Sequence, residues 1–211
     1  MRSKLLRAAE YGNYVKLLFW RTVVPWRLRR KGLLLASSAR FFGMPIVSIA
    51  KSSSIIIGDR CVLTSVSEYT ALGVNHPIVL RTLRPNAVIS IGSDTGMSGT
   101  SICAGVKVSI GGRCLIGANV IIADTDFHPV DATDRRYCGD DRKVAAEPVI
   151  IEDNVFIGAN TIVLKGVRIG RNSVVGAGST VTCNVPPDSV AAGNPARVIK
   201  KMSGFLDPKM C

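Results

Sequence analysis

Two histidines are the side chains of this sequence best suited to proton transfer near neutral pH. His128 lies in "DTDFHPVDATD", where a regular apolar run stops after Ile122 and a charged stretch begins. A neutral imidazole there could take the proton from an alcohol while its oxygen attacks a carbonyl carbon. The alternative is a structural histidine that caps the end of the apolar run. His76, in "GVNHPIV", is open to two interpretations, a substrate contact or a structural polar residue.

A period of six residues predicts the elements that must hold these side chains. From residue 151 every sixth residue is Ile or Val, and a small or β-branched residue follows four places later. The positions are Ile151, Ile157, Val163, Ile169, Val175 and Val181, with Ala104, Ile110, Ile116 and Ile122 upstream and Ile57 with Cys61 as the first clear member. This period fits neither an amphipathic helix nor simple alternation. It predicts a solenoid of short parallel strands with the branched side chains stacked inside.

Two segments interrupt the period, residues 66–88 and 128–149. Insertions in a solenoid become loops that project from one face, which is often the binding face. His128 follows Ile122 by six residues, so it takes a slot where an inward aliphatic side chain is expected, and Pro129 helps to direct the chain out of the coil. We therefore expect His128 at the edge of a rigid scaffold, at the mouth of a loop.

The composition fits a β-rich core. The 211 residues are 47% hydrophobic but 6% aromatic, so Val, Ile, Leu and Ala supply most of the apolar mass. The six cysteines form no C-x-x-C pair, which argues against a zinc site and a disulfide framework, and we expect no metal. No apolar run reaches the roughly 18–20 residues that span a bilayer, and we expect a cytoplasmic protein.

The segment "IIEDNVFIGANTIVLKGVRIGRNSVVGAGSTVTCNVPPDSVAAGNPARVIKK" resembles the hexapeptide-repeat acyltransferases. The resemblance covers residues 57–201 and is strongest to the sugar O-acetyltransferases that act on maltose, galactosides and nodulation factors. It implies an all-β solenoid, a left-handed parallel β-helix of about 18 residues per coil. It also implies a homotrimer with active sites between subunits, and transfer of acetyl from acetyl-CoA to a hydroxyl of a sugar or saccharide, with His128 as general base.

Small residues recur eighteen positions apart in this segment. Ala159 and Ala177 occupy equivalent slots, each preceded by glycine, at Gly158 and Gly176. A strip without side chains would let a long ligand lie against the backbone, although small residues could equally just fit a tight corner. The resemblance implies that the pantetheine arm of the coenzyme follows this strip, that the N–H of Ala159 stabilises the oxyanion, and that Thr182 is a further coenzyme contact.

Cations and loop residues complete the expected site. Arg197 and Lys200, with Lys201 beside them, are expected on a short C-terminal helix and, by the resemblance, at the coenzyme phosphates; solvated surface charge is the alternative. The candidate acceptor contacts lie in or next to the two insertions, at Asn75, His76, Asp126, Asp131 and Arg135. Asp126, Asp131 or the main chain could orient the His128 ring.

Three other functions are alternatives to sugar O-acetylation. One is N-acylation of the amine of a nucleotide-linked amino sugar, which uses the same scaffold. A zinc carbonic anhydrase on a similar helix needs three histidine ligands for each metal, which two histidines in the chain do not supply. A non-catalytic scaffold that kept the coil is the remaining alternative.

Positive charge concentrates at the N-terminus. The formal net charge is +12, and residues 1–40 carry ten Lys or Arg against Glu10 alone. We expect one or two short helices there, broken at Pro25, that cap the open end of the solenoid; contact with an anionic membrane at its inner face is the alternative. We expect no nucleic-acid partner. The predicted segments are 1–45 as a basic helical cap or arm, 46–187 as the β-helix, and 188–211 as a tail with the short helix.

Overall fold

The computed structural model describes residues 2–134, 136–138 and 143–202, with side chains from Tyr14 onward. A long helix, α1 (Arg2–Arg30), precedes a stack of short strands. Coil 1 comprises β1 (Leu34–Leu35), β2 (Arg40–Phe42) and β3 (Ile46–Ser48). Coil 2 comprises β4 (Ser54–Ile57), β5 (Val62–Thr64) and β6 (Val79–Thr82), with a 3-10 turn (Ser67–Tyr69) between the last two. Coil 3 comprises β7 (Val88–Ile91), β8 (Gly96–Ser98) and β9 (Ser101–Ala104).

The later coils are shorter and more regular. Coil 4 comprises β10 (Lys107–Ile110), β11 (Leu115–Ile116) and β12 (Ile121–Ala123). Coil 5 comprises β13 (Val149–Ile151), β14 (Phe156–Ile157) and β15 (Ile162–Val163), and coil 6 comprises β16 (Arg168–Ile169), β17 (Val174–Val175) and β18 (Thr180–Val181). Two further strands, β19 (Ser189–Gly193) and β20 (Ala196–Lys201), end the described chain.

The strands form three parallel sheets, here called faces A, B and C, which enclose one core. Each coil contributes one strand to each face, so the chain is a left-handed parallel β-helix, as predicted. The branched residues stack in register; on face C, for example, Leu80, Ile102, Ile122, Val163 and Val181 follow one another. All five are buried, because each inward side chain is covered by the coils above and below it.

The second slot of the repeat also points inward. Cys61 and Cys114 fill it, and burial raises the pKa of both thiols, so these cysteines are structural. Where the slot holds a hydroxyl, it bonds to a backbone carbonyl: Thr95 donates to Gly111 at 2.9 Å and Ser173 to Pro186 at 2.7 Å. Among the residues that the structure describes, no buried hydroxyl lacks a hydrogen-bond partner.

The first coil lies partly inside the segment that the sequence assigned to the arm. Leu35, Phe41 and Val47 face inward opposite the corresponding residues of coil 2. These three residues also keep the six-residue spacing, so the repeat begins earlier than Ile57. In coil 3, Ile102 and not Ala104 pairs with Ile122, because this coil is longer than eighteen residues.

The two insertions differ from their predicted bounds. The first is shorter than 66–88, because β6 and β7 are strands of faces C and A, which leaves residues 65–78 as the loop. The second spans residues 124–148, between β12 and β13. We call this second insertion the flap.

The predicted C-terminal helix is wrong. Residues 189–201 form an antiparallel hairpin instead, in which β19 extends face B by pairing with β17, and β20 pairs with β19. The turn uses Gly193 at φ 105°, and Pro195 follows it. Ala191 pairs with Val175 and continues the inward pattern of face B, and this tertiary pairing outweighs the helical propensity of the segment.

Pro25 does not break α1, which continues through it to Arg30. Trp20, Val24 and Leu28 recur every four residues and are buried against the first coil. Trp20 contacts Phe42 and Tyr69 edge-on, with ring centroids 6.2 and 5.2 Å apart. Packing therefore compensates for the hydrogen bond that proline cannot donate. Among the described residues, α1 included, no helix is both long enough and apolar enough to cross a membrane.

Candidate active site on two edges of face C

The turns between faces B and C carry a column of glycines and alanines. A Cβ at Gly117 would lie 2.6 Å from the amide nitrogen of Ala159, and one at Gly158 would lie 2.4 Å from that of Ala177. Only glycine permits the coils to approach this closely. We call this column the donor strip, defined as Gly117, Ala118, Gly158, Ala159, Gly176 and Ala177.

Backbone N–H groups of the donor strip are available to a ligand. The Ala159 carbonyl accepts the N–H of Gly178 at 2.8 Å. Within the part of the chain that the structure describes, the N–H groups of Ala118, Ala159 and Ala177 donate to no acceptor. Successive coils are about 4.8 Å apart, so these donors form a ladder beside a surface without long side chains. Such a ladder can bind amide carbonyls or an oxyanion.

The predicted phosphate ligands lie at one end of this strip. A Cβ at Gly176 would lie 2.9 Å from the Cβ of Ala192, and Ala192 pairs with Arg197 on β20. Arg197 and Lys200 are both exposed, on a strand and not on the predicted helix. The hairpin therefore brings the Arg197 cation next to the last glycine of the strip.

The loop of residues 65–78 is anchored on the same edge. The Asn75 N–H donates to Asn119 Oδ1 at 2.8 Å, and Val74 packs over Gly99. The His76 ring lies 2.8 Å, through Nδ1, from the carbonyl oxygen of Pro77, which fits a structural histidine. Asn75 and His76 are thus on the edge that carries Ala159.

The flap leaves the coil at the other edge of face C, and a buried carboxylate fixes its base. Asp124 accepts the N–H groups of three consecutive residues of the preceding turn, Gly105 at 2.5 Å, Val106 at 2.7 Å and Lys107 at 2.6 Å. Thr125 and Ala146 form an antiparallel bridge, and the Glu147 N–H donates to the Asp124 carbonyl at 2.8 Å. The two ends of the flap are therefore held together by backbone hydrogen bonds.

His128 is exposed on this flap. Its N–H donates to the Asp126 carbonyl at 2.7 Å across Phe127, whose φ is 62°. This three-residue turn requires an unfavourable backbone conformation, so the position of His128 is fixed by its surroundings. No described side chain bonds to the imidazole, which leaves both ring nitrogens accessible.

Asp126 has a partner that the sequence did not indicate. Lys165 Nζ lies 2.7 Å from Asp126 Oδ1, and both side chains are largely buried. Asp126 therefore anchors the flap to the turn after β15 and does not bond to the His128 ring. Asp131 is exposed, and Arg135 lies outside the described residues.

Thr182 belongs with the flap and not with the donor strip. It directly follows β18 and so is one coil beyond Leu164, the neighbour of Lys165. We call this group the flap edge, defined as Asp126, His128, Lys165 and Thr182. Six residues of nearly extended chain, roughly 15–20 Å, separate Ala159 from Lys165. The predicted base and the predicted oxyanion donor thus lie on opposite edges of face C in one chain.

Comparison with known proteins supports this picture of the repeat. Residues 107–123 and 148–183 match the family described as the hexapeptide repeat of succinyl-transferase. A 2,3,4,5-tetrahydropyridine-2,6-dicarboxylate N-acetyltransferase from Staphylococcus aureus (strain JH9) is 54% identical over 65 residues, 31% of this chain. The chain spans 27% of the length of that relative.

Two solved structures resemble the whole coil. A hexapeptide-repeat acetyltransferase from Vibrio cholerae O1 biovar eltor, solved with acetyl coenzyme A, has a TM-score of 0.55 at 21% identity, covering 94% of this chain and 89% of that one. A maltose O-acetyltransferase from Clostridium difficile 630 has a TM-score of 0.50 at 27% identity, covering 95% and 89%. Both share the coil fold of this chain, and the repeat match lies within that coil.

Proposed function

We propose that this chain is an acetyltransferase that moves an acetyl group from acetyl-CoA to a hydroxyl of a sugar or saccharide. The observation that carries the proposal is the donor strip, a glycine-walled ladder of unpaired N–H groups that ends at a cation. The pantetheine arm has amide groups that fit such a ladder, and the coenzyme phosphates fit Arg197 and Lys200. The similarity to a maltose O-acetyltransferase over most of both chains favours a hydroxyl acceptor.

In this proposal His128 removes the proton from the acceptor hydroxyl as the oxygen attacks the thioester carbonyl. The Ala159 N–H stabilises the negative charge that develops on the carbonyl oxygen. The C–S bond then breaks, the new C–O bond remains, and the proton held by His128 passes to the departing thiolate. The products are the acetyl ester and coenzyme A, and the imidazole returns to its neutral form.

The two edges can cooperate in a homotrimer. Because His128 and Ala159 lie on opposite edges of face C, we propose that the flap edge of one subunit faces the donor strip of its neighbour. Exposed apolar side chains on the outer surfaces of faces B and C, including Leu115, Phe156 and Ile121, offer area for such contacts. In this arrangement Asn75 and His76 come from the subunit that supplies Ala159, and Asp131 comes from the other. Contact of residues 1–40 with an anionic membrane is a separate proposal that rests on α1.

N-acylation is the second candidate, with the amine of a nucleotide-linked amino sugar as acceptor. The 65-residue match to an N-acetyltransferase favours it, although that match covers a small part of the relative. Both reactions use the same base and the same oxyanion donor, so the coil itself is compatible with either.

A coenzyme A release assay tests the proposal. We expect acetyl-CoA turnover with at least one member of a panel of mono- and oligosaccharides, and none without an acceptor. Amino sugars and nucleotide-linked amino sugars form the second arm. Turnover confined to this arm, with product that resists mild alkaline hydrolysis as an amide does, would replace the O-acetyl assignment. Failure of the protein to bind acetyl-CoA in calorimetry would contradict both.

A further inference from the structure

Helix α1 has two apolar faces. One face, with Trp20, Val24 and Leu28, is buried on coil 1. The opposite face carries large apolar side chains that remain exposed: Val15, Leu18, Phe19 and Trp26. Since residues four, seven and eleven apart lie on one side of a helix, Val15, Phe19 and Trp26 form a continuous outward stripe. Packing within the described chain accounts for the inner face but not for this stripe.

Cations flank the outward stripe, and no acidic residue occurs between Glu10 and Asp59. From Tyr14 onward, the exposed cations of α1 and the turn after it are Lys16, Arg21, Arg27, Arg29, Arg30 and Lys31. Lys16 pairs with Glu68 at 3.4 Å, whereas the other five make no ion pair with any described residue. The Arg30 guanidinium lies 5.1 Å from the centre of the Trp26 ring, so charge and apolar surface alternate closely.

We propose that the outward face of α1, with the cations beside it, binds the surface of an anionic phospholipid membrane. The alternation of exposed aromatic and basic side chains is the chemistry of interfacial helices. A second copy of this chain would bring the same positive charge to the contact, which opposes self-association there. A nucleic acid would engage the cations but would leave Phe19 and Trp26 without an apolar partner.

Vesicle co-sedimentation of the full chain tests the proposal, and it is independent of acetyl transfer because no acetyl-CoA is added. We expect binding to phosphatidylcholine vesicles that contain phosphatidylglycerol, weakening as salt is raised, and none to phosphatidylcholine alone. Equal binding to both vesicle types, or binding to neither, overturns the proposal. Displacement of the protein from anionic vesicles by double-stranded DNA at equal phosphate concentration identifies a general polyanion surface and also overturns it.

Charge variants locate the contact. The double variant Arg27→Gln/Arg30→Gln should lower partitioning onto anionic vesicles about 30-fold, since each Lys or Arg near the surface contributes about fivefold. The charge-matched control Arg113→Gln/Arg171→Gln, on a distant turn between faces A and B, should lower it much less. Equal losses of vesicle partitioning in the double variant and in its control would contradict a contact through α1. Inorganic phosphate at millimolar concentration should not release the protein, whereas release shows a site for free phosphate and not for a membrane.

Tryptophan fluorescence adds a readout of insertion, because the chain has two tryptophans in opposite environments. Trp20 is 6% exposed and Trp26 is 54% exposed, so a blue shift on adding anionic vesicles must come from Trp26. Trp26→Phe should abolish the shift while binding persists, and Phe19→Ser/Trp26→Ser should reduce binding. The emission of Trp20 in the Trp26→Phe variant reports whether α1 remains packed. A blue shift that persists in Trp26→Phe contradicts insertion of this face.

Discussion

The two edges of face C are built in different ways. The donor strip repeats with the coil, and its useful groups are backbone N–H donors exposed by small residues at fixed positions. The flap edge instead depends on an insertion, the flap, which is held by single side chains, the buried carboxylate of Asp124 and the pair of Asp126 with Lys165. The donor strip therefore follows from the repeat itself, whereas the flap edge depends on a few individual residues.

This difference separates general from specific chemistry. A backbone ladder suits a ligand that many enzymes share, because its donors do not depend on side-chain identity. An inserted loop can change without disturbing the core, so it suits the base and the acceptor contacts. The comparison predicts that substitutions of His128 or of the Asp126–Lys165 pair change turnover, whereas substitutions on the donor strip also change binding of acetyl-CoA.

The largest expected effect is that of His128→Ala. Loss of a general base should lower kcat/KM about 10²- to 10⁴-fold while calorimetric binding of acetyl-CoA is retained. His76→Ala is the matched control, since its ring already lies against the Pro77 carbonyl, and it should stay within about tenfold of the original protein. A greater loss in His76→Ala than in His128→Ala would reverse the assignment of the base.

The second largest effect on activity is expected from removal of one backbone N–H donor. Ala159→Pro deletes the N–H at a turn whose following residue, Asn160, has φ 58°, a position before which proline is tolerated. We expect kcat/KM to fall about 10²- to 10³-fold. Ala159→Ser keeps the N–H and should retain most activity. Similar melting temperatures of Ala159→Pro and the original protein would show that the coil is intact. Full activity of Ala159→Pro would contradict the role of the Ala159 N–H in stabilising the oxyanion.

Loss of the flap anchor should have a moderate effect. Lys165→Met leaves the partly buried Asp126 carboxylate without its partner and should lower kcat about 10- to 100-fold through misplacement of His128. In a double-mutant cycle with Asp126→Asn, we expect a coupling free energy of about 1–2 kcal/mol in urea unfolding. The exposed pair Arg60–Asp94 provides the control, and its disruption should leave kcat unchanged. Additive effects of the two flap substitutions would show that the pair does not act as a unit.

The smallest expected effect is the dependence of stability on the charge of Glu152. This residue contacts Arg168 and Arg171, away from both edges of face C. The N–H of Arg171 and the side chain of Arg168 lower the pKa of the Glu152 carboxyl below its ordinary value. The ionised Glu152 carboxylate therefore stabilises the folded state at pH values above its pKa in the unfolded chain. This stabilisation is lost as pH falls through the pKa of Glu152 in the folded state. Glu152→Gln should cost less than about 1 kcal/mol at pH 7, and this cost should disappear as pH falls through the folded pKa of Glu152. A cost that is independent of pH would show that the charge is not involved.

Because of the six-residue repeat, most of the fold could be predicted from the sequence. Period six fixes which side chains point inward, so the core positions from Ile110 to Val181 and the eighteen-residue spacing of Ala159 and Ala177 followed directly. The first coil keeps the same spacing at Leu35, Phe41 and Val47, but the basic segment around it concealed the pattern. The hairpin of β19 and β20 was missed because its pairing depends on the exposed edge of face B, which is a tertiary feature.

The site was only partly predictable for the same reason. Positions inside the repeat follow from counting, whereas contacts of the insertions join residues distant in sequence. The Asp126–Lys165 pair spans 39 residues, and the hydrogen bond from Asn75 to Asn119 spans 44. Neither pair has a signature in the spacing of the repeat. The assignment of Thr182 and His128 to one edge and Ala159 to the other likewise required the coil to be folded.

The central claim is that the base and the oxyanion donor of one active site come from different subunits. It is tested by refolding an equal mixture of the His128→Ala and Ala159→Pro proteins and measuring acetyl transfer. Each variant alone should be nearly inactive, and random mixed trimers should recover about a quarter of the original activity, because one interface in four pairs an intact flap edge with an intact donor strip. Activity no higher than that of the separate variants, with mixed trimers verified by mass spectrometry, would place both groups in one chain and contradict the account.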